Sequence, residues 1–245
     1  MRLLQVLFVF FSGMLFSMSL LAETAAEVGR MIWVNGPAQA ISPSHATRSL
    51  QRRSPIYEQD TIVTGDSGTG QIVFTDNSVV VLRASTTFRI DQYKFNPSLP
   101  NDGKYIASVA KGGFRTITGL ISKGNPDGYQ VNTPVATIGV RGTDYSIFYM
   151  PCNPRKGKTA KTDPTCSRGL VVKLSRGKIV VVNPQGQVEL NASKGGTFAV
   201  VKSLEQPPAI TNNQSTLFDS QPSISSGPGG KFGPTTKSVS GFCIN

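Results

Sequence analysis

Beyond its first two dozen residues, no stretch of twelve or more residues in this chain carries apolar side chains at i, i+3, i+4 and i+7. The core therefore cannot be built from amphipathic helices. From about residue 28 the pattern is short runs rich in β-branched and aromatic residues: VGRMIWVNG (28–36), TGQIVFTDNSVVVLR (69–83), TTFRIDQYKF (86–95) and YIASVAKGG (105–113). DYSIFYM (144–150), GLVVKLSRGKIVVVN (169–183) and GTFAVV (196–201) follow, with Gly, Asn, Asp or Ser clusters breaking the runs. IVFTDNSVVVL reads as a hairpin, with Asp76, Asn77 and Ser78 in the tight turn. LVVKLSRGKIVVV reads as a second hairpin, reversing at Arg176-Gly177. In TTFRIDQYKF, Phe88 and Ile90 share one face while Tyr93 and Phe95 fall on the other, so a bulge near Asp91-Gln92 is expected to return both to the core. Strands at this spacing specify an all-β domain, a sandwich, a barrel or a β-helix-like roll, rather than an α/β enzyme.

Both ends differ from this middle. Residues 1–22 (MRLLQVLFVFFSGMLFSMSLLA) have the order of a secretory signal, with one basic residue, an apolar stretch and a small residue at Ala22; a second cut is available after Ala26. Retained, the segment would instead approach the roughly 20 apolar residues that span a bilayer. The expected location is periplasmic or secreted. From 203 to 245 the chain is polar and rich in Pro, Gly and Ser, with too few apolar residues to offset the entropy of ordering, and is expected to be a disordered tail.

The charge of +11 falls to +10 if Arg2 leaves with the signal. A positive exported protein favours anionic envelope polymers, lipid headgroups or acidic proteins as partners over specific nucleic acid. His45 is the sole histidine, which excludes a multi-histidine metal site, and it lies in a Pro/Ser loop. GDSGTG (65–70) has the wrong glycine spacing for a dinucleotide loop. Asp60, Asp66 and Asp76 sit beside turn-forming residues, where aspartate caps through its own side chain, and no D-x-D-x-D-G calcium loop is present. No metal or cofactor is expected.

The run Thr133-Pro134-Val135-Ala136-Thr137-Ile138-Gly139-Val140-Arg141-Gly142-Thr143-Asp144-Tyr145 resembles the signature of FecR-type domains, the ferric-citrate regulator-like periplasmic family. YEQDTIVTGDSGTGQIVFTDNSVVVLRASTTFRI (57–90) and GGFRTITG (112–119) are similar to that family's earlier segments, and the resemblance covers roughly residues 28–202. It implies an extracytoplasmic all-β domain. The founding type relays a periplasmic signal to a cytoplasmic sigma factor. Here nothing of substance precedes the apolar segment, so a cytoplasmic anti-sigma region is expected to be absent.

Within the motif, Arg141, Thr143 and Asp144 have two readings. They could hold a polar ligand group, or Gly139 and Gly142 could permit a kink that an internally paired Arg141 locks. The hydrophobic residues on both sides favour the structural reading for Thr133, Pro134, Gly139, Arg141, Gly142, Thr143 and Asp144. Cys152 and Cys166 bracket an insertion with a C-x13-C spacing unlike zinc knuckles, and a disulfide closing that loop is expected in an oxidising compartment. Arg155, Lys156, Lys158, Lys161 and Arg168 make the loop basic, against Asp163 alone, and form the candidate contact site for an anionic polymer, glycan or envelope protein. Cys243 is left over, as a free thiol or an intermolecular disulfide.

The expected function is thus a non-catalytic binding or sensing module of the cell envelope. The alternative is a membrane-anchored signalling component docking to an outer-membrane receptor. An envelope polysaccharide hydrolase ranks third, because acids are sparse.

Overall fold

A computed structural model describes residues 26–151, 156, 169–194 and 197–211. Eight strands precede the middle of the chain: β1 (Glu27–Asn35), β2 (Ala38–Ile41), β3 (Thr47–Ser49), β4 (Pro55–Tyr57), β5 (Thr61–Thr64), β6 (Thr69–Phe74), β7 (Val79–Leu82) and β8 (Thr87–Lys94). Seven follow: β9 (Lys104–Ile117), β10 (Tyr129–Thr133), β11 (Ala136–Met150), β12 (Gly169–Asn183), β13 (Gly186–Asn191), β14 (Phe198–Val201) and β15 (Ala209–Thr211). One helical turn, α1 (Ile121–Gly124), joins β9 to β10. Among the described residues no helix is long and apolar enough to cross a membrane.

All fifteen strands belong to one mixed sheet, so the all-β domain expected from the strand pattern is what forms. Its crossroads is β9. The first half of β9 lies between antiparallel β8 and parallel β10; beyond Gly112 its second half lies between antiparallel β7 and β11. One strand thereby joins two differently paired regions, and the sheet turns about a single main core. Met31, Ile62, Ile72, Phe88, Ile138 and Leu190, from six strands, all have zero or near-zero exposure within it. Its centre is aromatic. Tyr105 stacks on Tyr129 with centroids 4.5 Å apart and takes Phe74 and Tyr93 edge-on, while Phe114 packs edge-on to Phe88 and Tyr145.

The hairpin read at Asp76–Ser78 joins β6 to β7, with Asn77 in the left-handed region at φ +63°. The expected bulge is present too: the β8–β9 register slips between Ile90 and Gln92, and Tyr93 and Phe95 pack against the core. Asp76 does more than cap its turn. Fully buried, its Oδ1 accepts from the Ser78 amide at 3.0 Å, the Ser78 hydroxyl at 2.6 Å and the Tyr93 hydroxyl at 3.3 Å. Its Oδ2 accepts from the Ile121 amide at 3.3 Å, and its carbonyl from the Leu120 amide at 2.8 Å. One side chain thus ties the β6–β7 turn to β8 and to α1.

Two expectations are corrected. Arg176-Gly177 does not reverse the chain, because β12 runs unbroken from Gly169 to Asn183 beside β11. Gly177, at φ +91°, instead faces Gly142, at φ +59°, across a register slip; a Cβ on Gly177 would stand 2.6 Å from the Gly142 carbonyl oxygen. Paired left-handed residues bend both strands together without ending either. The reversal comes later, at Pro184-Gln185, where the Asn183 side chain accepts from the Gln185 amide at 3.0 Å and β13 begins. The ordered domain also passes the boundary set at 202. Residues 209–211 add β15 to β14, and Asn183 donates to the carbonyls of Ser203 and Gln206. Backbone pairing holds this segment despite its few apolar side chains. The segment 1–22 and the tail beyond 211 lie outside the described residues, as do Cys152, Cys166 and Cys243.

Replacing Asp76 with Ala strands two backbone amides and two hydroxyls without their acceptor. The expected cost is roughly 3 kcal/mol, read as a lower urea midpoint at unchanged slope. Burial first, and then neighbouring charge, holds the hydroxyls of Tyr93, Tyr105, Tyr129 and Tyr145 well above the usual tyrosine value of 10.0. Unfolded tyrosines release protons near that value while the folded ones keep theirs. Their contribution is therefore complete below about pH 10 and lost as pH rises above it. Phenolate absorbance from these four should appear above pH 10 together with loss of the β-sheet circular dichroism signal. Ionisation of more than two of the six tyrosines at pH 10 with the fold intact would contradict the burial.

Candidate functional site

The signature run occupies the β10–β11 hairpin and the first two-thirds of β11. Thr133 closes the two-residue turn at Pro134-Val135: its Oγ1 accepts from the Ala136 amide at 3.1 Å and donates to the Ala136 carbonyl at 2.8 Å. Pro134 is exposed at the tip. Thr143 is buried at the far end, where its amide donates to the Thr118 Oγ1 at 2.9 Å and its carbonyl accepts from the Thr118 amide at 3.0 Å. Asp144 takes a bidentate grip from Arg115 on β9, at 3.1 and 2.8 Å, with both side chains mostly shielded. Asp60 is similarly engaged: it accepts from the Tyr57 amide at 2.9 Å and from Arg48 at 2.5 Å.

Arg141 is placed differently. Its side chain is 69% exposed, and its partner is Asp127, 3.7 Å away and 92% exposed, so this pair does not lock the bend from within. Alternation along β11 explains the exposure. Ile138 and Val140 point into the core, and Thr137, Gly139 and Arg141 point outward. Pairing sets two outward rows: Gln130, Gly139, Val180 and Glu189 run across β10, β11, β12 and β13, and Lys178 stands directly opposite Arg141. Together with Asp127 they line a groove of about 430 Å³ with Gly139 in its floor.

Of the basic-loop candidates, Lys156 is an exposed turn residue; Arg155, Lys158, Lys161 and Arg168 lie outside the described residues. The cations that the structure does bring together are Arg141 and Lys178. Sequence reading had no means of pairing them while the chain was taken to reverse at Gly177, since that assigns Lys178 to a different strand from the one facing Arg141. An unbroken β12 was the missing signal. Among the described residues no three His, Cys, Asp or Glu side chains group to hold a metal ion.

The groove is open and lies over one strand of the signature hairpin. Residues 60–172 match the family model described as FecR protein. No curated protein matches the chain. Among solved structures, two crystal structures of a candidate anti-sigma factor from Parabacteroides distasonis are 16% identical, with TM-scores of 0.45 and 0.44; each alignment covers 62% of this chain and 59% of that one. A cell surface anchoring domain is 27% identical over 25% of this chain and 82% of its own, with a TM-score of 0.25.

The two charged positions of the motif should separate on substitution. Arg141→Ala is expected to shift the melting temperature by at most about 2–4 °C, since an exposed ion pair contributes about 0–1 kcal/mol. Asp144→Ala leaves the Arg115 fork unmatched in a shielded site and should cost about 2 kcal/mol. Thermal melts of both variants against the parent protein check the contrast, and equal effects would contradict it.

Proposed function

We propose that the chain is a non-catalytic binding or sensing module of the bacterial cell envelope. The observation that carries this reading is the FecR family match over residues 60–172, which supports a signalling or sensing role. The arrangement of carboxylates supports its non-catalytic part. Asp60, Asp76 and Asp144 are consumed by structural hydrogen bonds. The groove's two carboxylates are Asp127, paired with Arg141 at 3.7 Å, and Glu189 on β13.

The N-terminal signal supports a periplasmic or secreted location; retention of that segment would make the chain the anchored signalling component instead. The basic segment around Lys156 adds a contact for an anionic envelope polymer, glycan or acidic protein.

Amino-terminal sequencing of the exported protein should give a start at Glu23 or Glu27, and an intact N-terminus would select the anchored reading. Purified protein should be retained on isolated cell envelopes, released by raised salt, and free of reducing-end production from envelope polysaccharide. Double reversal of Lys156→Glu and Lys158→Glu is expected to lower the retained fraction severalfold at low salt. Unchanged retention would remove the loop from the contact, and absence of retention in the parent protein would overturn the binding-module reading.

A further inference from the structure

Gly139 has no structural reason to be glycine. Its φ is not in the left-handed region, and a Cβ built on it meets no atom within 4 Å. Among the described glycines it is the one with both properties: Gly142 is equally open but left-handed, and Gly113 would drive a Cβ to 2.2 Å from the Ile147 carbonyl. Glycine inside a strand costs backbone entropy and leaves nothing to pack. Its physical uses there are a bulge or the close approach of another molecule to the backbone. The β10–β11 and β11–β12 registers run without a slip through Gly139, so no bulge is present.

A second cost surrounds the same residue. Arg141 and Lys178 are directly opposed across β11 and β12, a like-charge pairing that destabilises a sheet. Asp127 offsets it only loosely, at 3.7 Å, and Lys178 has no ion pair within 4 Å among the described residues. The lining of this groove of about 430 Å³ has no net charge, since Asp127 and Glu189 balance Arg141 and Lys178, but the two cations stand together on neighbouring strands beside the bare backbone, where one carboxylate can bridge them. That volume falls within the about 300–1,000 Å³ of small-ligand sites.

We propose that the outward face of β11 binds a short carboxylated saccharide, whose ring lies against the Gly139 backbone and Val180 and whose carboxylate is held by Arg141 and Lys178. This rests on the reading of the protein as a binding module and names the ligand class of that module. The neutral part of the lining suits a sugar: Gln130 and Thr137 offer amide and hydroxyl groups, and the Val180 and Val182 methyls offer an apolar surface for a ring face. A peptide fits less well. Strands β10, β11 and β12 are each paired on both sides here, so none of these three has an edge free to add a peptide backbone.

The test titrates the protein as purified from the envelope with a galacturonic acid trisaccharide, a neutral galactose trisaccharide and a triglutamate peptide. The uronate is expected to bind with affinity that falls as salt rises, at least tenfold more tightly than either control. Gly139→Val should weaken uronate binding at least tenfold while the melting temperature stays level or rises, because a branched residue suits an open strand position. Arg141→Ala should weaken it to a similar degree. Failure of the uronate to saturate overturns the proposal, as does triglutamate binding equally well. So does a Gly139→Val protein that binds as the parent does, or one that melts several degrees lower. If Gly139→Val protein keeps parent uronate affinity but is still retained on cell envelopes in a salt-sensitive way, this assignment falls and the binding-module reading stands.

Discussion

The buried carboxylate of Asp76 is the fixed point of this fold. A charge with no water contact must be satisfied by donors, and the chain supplies them from three places remote in sequence: the β6–β7 turn, Tyr93 on β8, and the amide of Ile121 at the start of α1. Tyr93 reaches that position only because the register slip between Ile90 and Gln92 turns it inward. Its ring then packs on Phe74 and Tyr105, which carries the order on to Tyr129 at the head of the signature hairpin. A polar requirement at one turn therefore fixes the aromatic centre of the core, and that centre fixes where β10 begins.

The signature hairpin divides its labour along its length. Its ends are structural: Thr133 closes the turn, Thr143 bridges to Thr118, and Asp144 is forked by Arg115. Its middle is turned to solvent on one face, where Thr137, Gly139 and Arg141 meet Val182, Val180 and Lys178 of β12. The bend at Gly142 and Gly177 stands between the two parts. Beyond that bend the motif faces inward, with Thr143 buried beside Thr118 and the Tyr145 ring edge-on to Phe114. Arg141 stands in that outward middle, where its ion-pair partner is the exposed Asp127.

Legibility in the sequence followed the range of the interactions. The Asp76 turn and the Asp91-Gln92 bulge could be read because each is a local conflict between backbone and side-chain pattern, resolved within a few residues. Arg176-Gly177 misled because a left-handed glycine is equally at home in a hairpin turn and in a bulge; only the partner strand, with Gly142 opposite, decides between them. β15 was missed for a related reason, since its hydrogen bonds depend on a neighbouring edge and its composition resembles a tail. The groove was beyond sequence reading altogether, because its floor comes from β11 and its walls from segments near residues 127, 178 and 189.

The sequence by itself determined the class of fold, the absence of helical layers and the local turns, because period-two alternation and turn chemistry act between neighbours along the chain. The FecR signature was equally a property of consecutive residues. Tertiary structure alone decided which outward residues share a surface, because strand register is set by how distant segments bury their opposite faces. Ile138, Val140, Ile179 and Val181 go inward together. That burial is what sets Arg141 across from Lys178 and leaves Gly139 bare between strands.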